Sequence, residues 1–327
     1  MFLSIFRTNQ LFTAVFLLIY IALLHLSPLW IDDNWEPASY GVAAEWFYNQ
    51  FEFKSITAQV TAGLLLFVQA LILVTIDFQH KLSKEPTLFS GVFLILASSI
   101  SVPFLHLSPY YFANVFLLLA LRSVLSVYRK SDATGGIFNA GFFIAIASLF
   151  VPTYILFIFL IYAALNLLRG FNFSERIMVI FGVITIYFLA FTLFFWSNNS
   201  VHLWEVQWVE AFDFLSIRGG NAFTLIHLGL LFVLLLLSIF LRGQIIGKKI
   251  MQVQRKIDIF YWGMLIALLV VVFQAEIQEN TFLVVTPFLG LFLGIQFGAM
   301  KPNVAELLHL LLFIFVLLLQ FRPFFLP

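Results

Sequence analysis

Residues 137–168 read IFNAGFFIAIASLFVPTYILFIFLIYAALNLL, thirty-two positions without one charged side chain. A helix crossing roughly 30 Å of hydrocarbon uses about 20 apolar residues, so the stretch is too long for one crossing and short for two. Pro152 sits near its middle, where a missing amide donor and a ring clash break a helix. The pattern predicts two short helices, 137–150 and 153–168, as either a re-entrant hairpin or two thin crossings. Both arrangements return the chain to the side it left.

Further apolar runs flank this pair on both sides: 11–28, 56–76, 87–106, 110–128, 175–196, 221–241, 259–274, 281–300 and 304–320. With the broken pair they make eleven hydrophobic segments and predict an all-α, polytopic membrane helix bundle. The composition agrees, at 62% hydrophobic and 10% charged residues, against about half and a quarter in soluble domains. No stretch outside the segments reaches about 30 residues, too few for a core of its own, so 1–327 reads as one transmembrane domain. Neither GxxxxGK[ST] nor GxGxxG occurs, which removes nucleotide-driven transport within the chain. A net charge of +1 removes nucleic acid as a partner. The absence of cysteine removes disulfides, thiolate metal sites and thiol nucleophiles.

Basic residues flanking the segments set the orientation. With the N-terminus inside, Arg7, Lys81, Lys84, Arg129, Lys130, Arg169, Arg176, Arg242, Lys248, Lys249, Arg255, Lys256 and Lys301 are cytoplasmic, while only Lys54, Arg218 and Arg322 fall outside. The eleven segments then place the C-terminus in the periplasm. Long apolar runs, unlike alternating barrel strands, point to a bacterial cytoplasmic (inner) membrane. MFLSIFRTNQ at the start lacks the features of a cleavable signal and reads as a short interfacial helix.

The first outer loop, about 29–55, carries Trp30-Ile31-Asp32-Asp33-Asn34-Trp35-Glu36-Pro37 directly after the first segment. Three carboxylates within five residues at the mouth of a bundle can hold a divalent cation or serve as a general base. The alternative is a plain solvated acidic loop. An amphipathic interfacial helix is expected over 43–53, with Ala43, Trp46, Phe47 and Phe51 on one face and Glu45, Asn49 and Glu52 on the other. The second outer loop, about 197–220, repeats the design: Trp204, Trp208, Phe212 and Leu215 oppose Glu205, Glu210 and Asp213. An aromatic belt at headgroup level accounts for such tryptophans; alternatively Trp35, Trp204 or Trp208 stacks on a sugar or headgroup. Within the membrane, Arg122 either snorkels to the cytoplasmic interface or holds a lipid-carrier phosphate. Glu306-Leu-Leu-His309 has the spacing of di-iron bundles but lacks the second copy such sites require.

The run Ala140-Gly141-Phe142-Phe143-Ile144-Ala145 through Pro152 to Leu168-Arg169-Gly170 resembles the helix pair of GT-C-type lipid-linked-sugar glycosyltransferases. The acids opening the first outer loop and the amphipathic helix after them are similar too. The resemblance implies a polyprenyl-phosphate-linked sugar as donor, with Asp32 or Asp33 as catalytic base or metal ligand. It further implies Glu36 as a second ligand to a divalent cation (Mg or Mn) and a basic residue, here Arg218, on the donor phosphate. The chain departs from those enzymes in having no large periplasmic domain and no basic cluster in its outer loops. As a whole it also resembles an uncharacterised family of Bacteroidota integral membrane proteins, through Phe138-Asn139-Ala140-Gly141 and Leu168–Arg176, which implies no activity.

Two functions follow as expectations. One is a glycan-assembly enzyme, or its degenerate relative, at the outer face. The other is a non-catalytic subunit or scaffold of an envelope secretion, motility or export complex, with other membrane proteins as partners. Its candidate seam is Gly290-x-x-x-Gly294-x-x-x-Gly298, although packing inside the bundle is the favoured explanation, since the chain has many helices to pack. Paired broken helices, the mark of secondary transporters, are absent.

Overall fold

The computed structural model describes residues 3–7, 11–29, 40–49, 55–216, 222–247 and 249–321. Among them are fifteen α-helices and no strand, only an isolated antiparallel bridge between Phe212 and Gln274. In chain order α1 (Leu11–Leu24) is followed by the short α2 (Val42–Tyr48), then α3 (Ile56–His80), α4 (Phe89–Ala97) and the one-turn α5 (Val102–Leu105). Next come α6 (Pro109–Leu125), α7 (Thr134–Phe150), a 3-10 stretch over Pro152–Phe157 and α8 (Ile158–Leu168). The remainder comprises α9 (Phe173–Trp196), α10 (Ser200–Trp204), α11 (Ala222–Phe240), α12 (Arg242–Ile246), α13 (Met251–Val272), α14 (Thr286–Ala299) and α15 (Pro302–Gln320). Each of the eleven expected segments contains a helix. α3, α9 and α15 are long and apolar enough to cross a membrane alone, and shorter apolar helices fill in between.

The broken pair forms two helices, α7 and α8, that run in opposite directions between the two ends of the bundle. α7 has 17 residues, about 25 Å at 1.5 Å per residue. Its last carbonyl, on Phe150, accepts the Gly41 amide at 2.9 Å at one end of the bundle. α8 then runs back to the other end, where Arg169 pairs with Glu175 at 2.8 Å and donates to the carbonyls of Val127 and Lys130 at 2.9 and 2.7 Å. Pro152 stands at the first position of the 3-10 stretch, where its lost donor leaves no carbonyl wanting.

The segment 87–106 differs from expectation, since it is broken into a helix over Phe89–Ala97 and a separate single turn over Val102–Leu105. Ser98, Ser99 and Ser101, followed by Pro103, end the helix. Serine side chains compete for backbone partners, as Ser99 does by donating to the Ile95 carbonyl at 2.8 Å. This short helix is buried on all sides and forms the bundle centre with α14. The two approach closely because a Cβ on Gly290 would stand 2.7 Å from the Leu94 backbone, and one on Gly294 would stand 2.5 Å from the Ser90 amide. The glycine seam is therefore used inside the bundle. A second close contact joins α7 to α9, where a Cβ on Gly141 or Gly182 would lie 2.2 or 2.4 Å from the carbonyl oxygen of Val179 or Phe138. Peripheral α9 leaves Phe181, Phe188, Leu193 and Phe195 uncovered, an apolar surface that fits hydrocarbon rather than water.

The two ends of the bundle differ in charge. Every Lys and Arg among the described residues lies at the end where α3 and α6 finish and α13 begins, hereafter the basic end. Glu45, Glu205, Glu210, Asp213, Glu276 and Glu279 lie at the opposite, acidic end.

Candidate functional site

The acidic end collects the loops. Residues 30–39, with Asp32, Asp33, Trp35 and Glu36, lie outside the described residues, but both flanks are fixed there. On one side the Ser27 hydroxyl donates to Gln320 Oε1 at 3.3 Å. On the other, Gly41 sits so close to α7 that a Cβ would be 2.2 Å from the Leu149 carbonyl oxygen. Helix α2 then packs with Val42, Ala44 and Tyr48 buried. The expected face is thus corrected: Trp46 points outward, and Tyr48 turns in because its hydroxyl donates to the Leu107 carbonyl at 3.0 Å. Phe47 keeps its place, with its ring 4.6 Å from that of Phe112. Phe51, Glu52 and Lys54 lie outside the described residues.

The second loop docks on the same end. The one-turn α10 passes into a π-helical turn over Glu205–Val209, closed by Glu210 N–H donating to the Glu205 carbonyl at 2.9 Å. π-turns recur at functional sites. Its wider turn places Trp204, Trp208 and Phe212 in a ladder, with ring centroids 6.4 Å apart at both steps. Leu215 leaves this face and donates its amide to the Val272 carbonyl at 3.0 Å. Tyr187 stands 5.5 Å from Trp208. Together with Phe191, Ser200, Leu203 and Trp204 these two rings line a groove of about 410 Å³. Buried Gln207 fastens the loop, donating to the Ser148 carbonyl at 2.5 Å, while Glu45 bridges the two loops through His202 Nε2 at 2.8 Å.

One cluster escaped the sequence reading. Glu279, in the turn before α14, accepts the hydroxyls of Ser101 and Thr224 and meets His227 Nδ1 at 3.2 Å. Partners from two separate elements, Ser101 before α5 and Thr224 and His227 on α11, thus converge on one mostly covered carboxylate. Burial pushes its pKa up, but the bonds from His227, Ser101 and Thr224 outweigh burial and hold it below the ordinary glutamate value. Around it a polar layer continues. Asn114 donates to the Leu283 carbonyl at 2.9 Å and accepts from the Tyr154 hydroxyl at 2.8 Å, and Thr153 donates to Gln274 at 2.6 Å. His227 is visible in the sequence as a lone intramembrane histidine; its partner is not, because 52 residues separate them.

The structure brings Trp204 and Trp208 together and leaves Arg122 apart. Arg122 occupies the last turn of α6 and is exposed at the basic end, which suits snorkelling. Arg218 lies outside the described residues. Glu306 and His309 have structural partners: Glu306 accepts the amides of Leu3 and Ser4 at 3.0 and 3.1 Å, and His309 meets the Tyr20 hydroxyl at 3.1 Å. Among the described residues no three His, Asp or Glu side chains form a metal-binding group.

The chain is an all-helical membrane bundle with its loops gathered at one end. The structure of ArnT from Cupriavidus metallidurans bound to undecaprenyl phosphate matches it with a TM-score of 0.52 over 87% of this chain and 56% of its own, at 11% identity. The chain therefore spans little more than half the length of that protein. No family model and no curated protein matches the sequence.

Proposed function

We propose that this protein is a GT-C-like, glycan-handling enzyme of the bacterial inner membrane that takes a polyprenyl-phosphate-linked sugar at its acidic end, on the periplasmic side. The observation that carries this reading is the fold likeness to a structure holding undecaprenyl phosphate. Two features support it. The acid-rich segment 30–39 leaves and re-enters the bundle at the same end as the Trp204–Trp208 groove. The sorting of Lys and Arg to the opposite end supports a cytoplasmic N-terminus and an outward-facing acidic end.

In the proposed reaction Asp32 or Asp33 accepts the proton of an acceptor hydroxyl as its oxygen attacks the anomeric carbon. The bond from that carbon to the phosphate oxygen breaks, and the polyprenyl phosphate departs with the electron pair. Arg218, with Lys54, stabilises the charge that gathers on the phosphate. Trp204 and Trp208, with Trp35, offer faces on which a sugar or prenyl unit stacks. A divalent cation, if used, would be held by Asp32 and Glu36, since the described Glu279 already has three partners. The test is turnover of a polyprenyl-phosphate sugar by membranes carrying Asp32→Asn with Asp33→Asn. Turnover should disappear while the protein level is kept, and unchanged turnover would defeat the reading.

A further inference from the structure

Cations at the basic end fall into two groups. Some are neutralised, as Arg169 is by Glu175 at 2.8 Å and Arg242 by Asp258 at 2.7 Å. A second group has no carboxylate partner among the described residues. Lys256, only 5% exposed, donates through Nζ to His80 Nδ1 at 2.9 Å and lies 5.5 Å from the centre of the Tyr128 ring. The Arg129 guanidinium is 5.4 Å from the centre of that same ring. Arg122, exposed on α6, is close enough to His80 to act on it electrostatically.

The nearest carboxylates along the chain have other partners, Asp258 being paired with Arg242 at 2.7 Å. Asp132 accepts the Thr134 amide at 3.0 Å, and Asp77 accepts the amide and hydroxyl of Ser83, each at 2.7 Å. A covered ammonium held only by a neutral imidazole and a ring face has a cost that an anion would remove. Arg129 has φ 55°, a left-handed conformation in which glycine would fit without strain. The chain nevertheless places a guanidinium there.

We propose that Arg122, Arg129 and Lys256 form a binding site for a phosphate group at the basic end, between α3, α6 and α13. A phosphodiester of an anionic lipid and a soluble phosphate share this chemistry, and basic clusters between helices near the interface are suited to it. The site is at the opposite end from the sugar-handling groove and does not depend on that assignment.

The experiment reconstitutes the full chain in nanodiscs of phosphatidylcholine alone or of an equimolar mixture with phosphatidylglycerol. Retained lipid is then read by native mass spectrometry after transfer to mild detergent, and inorganic phosphate is titrated in parallel by thermal shift. Selective retention of phosphatidylglycerol is expected, falling about tenfold or more in Arg122→Gln with Arg129→Gly, since each surface cation contributes about a factor of five. Arg129→Gly relaxes the backbone, so lost binding with an undiminished melting temperature separates the site from folding. A thermal shift by inorganic phosphate that vanishes in the same variant would assign the site to a soluble phosphate. Equal retention of both lipids without a phosphate shift, or binding that survives the double variant, would overturn the proposal.

Discussion

Gly182 faces the Phe138 carbonyl so closely that a Cβ would stand 2.4 Å from its oxygen, whereas a Cβ on Gly135 would meet nothing within 4 Å. Gly182→Ala should therefore cost about 1–3 kcal/mol through overpacking and lower the melting temperature in detergent, while Gly135→Ala should cost nothing. Glu279 makes a pH-dependent contribution. Its folded pKa lies below the ordinary value of 4.5, so the stabilisation is present above that value and is lost as pH falls through the folded pKa. Glu279→Gln should melt lower than the parent at neutral pH, and the gap should close in scans below about pH 4.5. At this scale the sequence was partly legible. His227, Trp204 and Trp208 stand out as residue types in unusual places. Glu279 does not, because its partners Ser101, Thr224 and His227 come from elements that only packing brings together.

At the scale of elements, hydropathy located each of the eleven segments but not their internal shape. Apolarity is the same for a straight crossing helix and for a short buried one, so the run 87–106 concealed the serine-rich break after Ala97. Pro152, by contrast, announced its own break, since proline acts through local covalent geometry. The register of α2 was misread for a similar reason: helical spacing does not reveal that Tyr48 has a carbonyl partner within reach. The α4–α14 contact carries its own test. Because Gly294 lies against the Ser90 backbone, Gly294→Leu should give a misfolded or rapidly degraded chain by size-exclusion chromatography. A monodisperse protein that had merely released a partner would restore the scaffold reading for this seam.

For the whole molecule, the separation of charge between the ends is the feature that most constrains function. The chain contains no cysteine, so single thiols can report which end faces which compartment. Ser197→Cys at the acidic end should react with a membrane-impermeant maleimide in intact cells, and Asp132→Cys at the basic end should react only after permeabilisation. The reverse pattern would place the groove in the cytoplasm and remove the proposed donor from its reach. The acidic loop, with Asp32, Asp33 and Glu36, stands out in the sequence by charge alone, and it lies outside the described residues.

The most direct test of sugar-carrier handling at the acidic end is mass spectrometry of lipids that co-purify with the protein from native membranes in mild detergent. A polyprenyl phosphate or its sugar conjugate should appear in near-stoichiometric amount, and it should be lost when Arg218→Ala is combined with Trp204→Ala and Trp208→Ala. Bulk phospholipid alone, identical in parent and variant, would contradict the assignment.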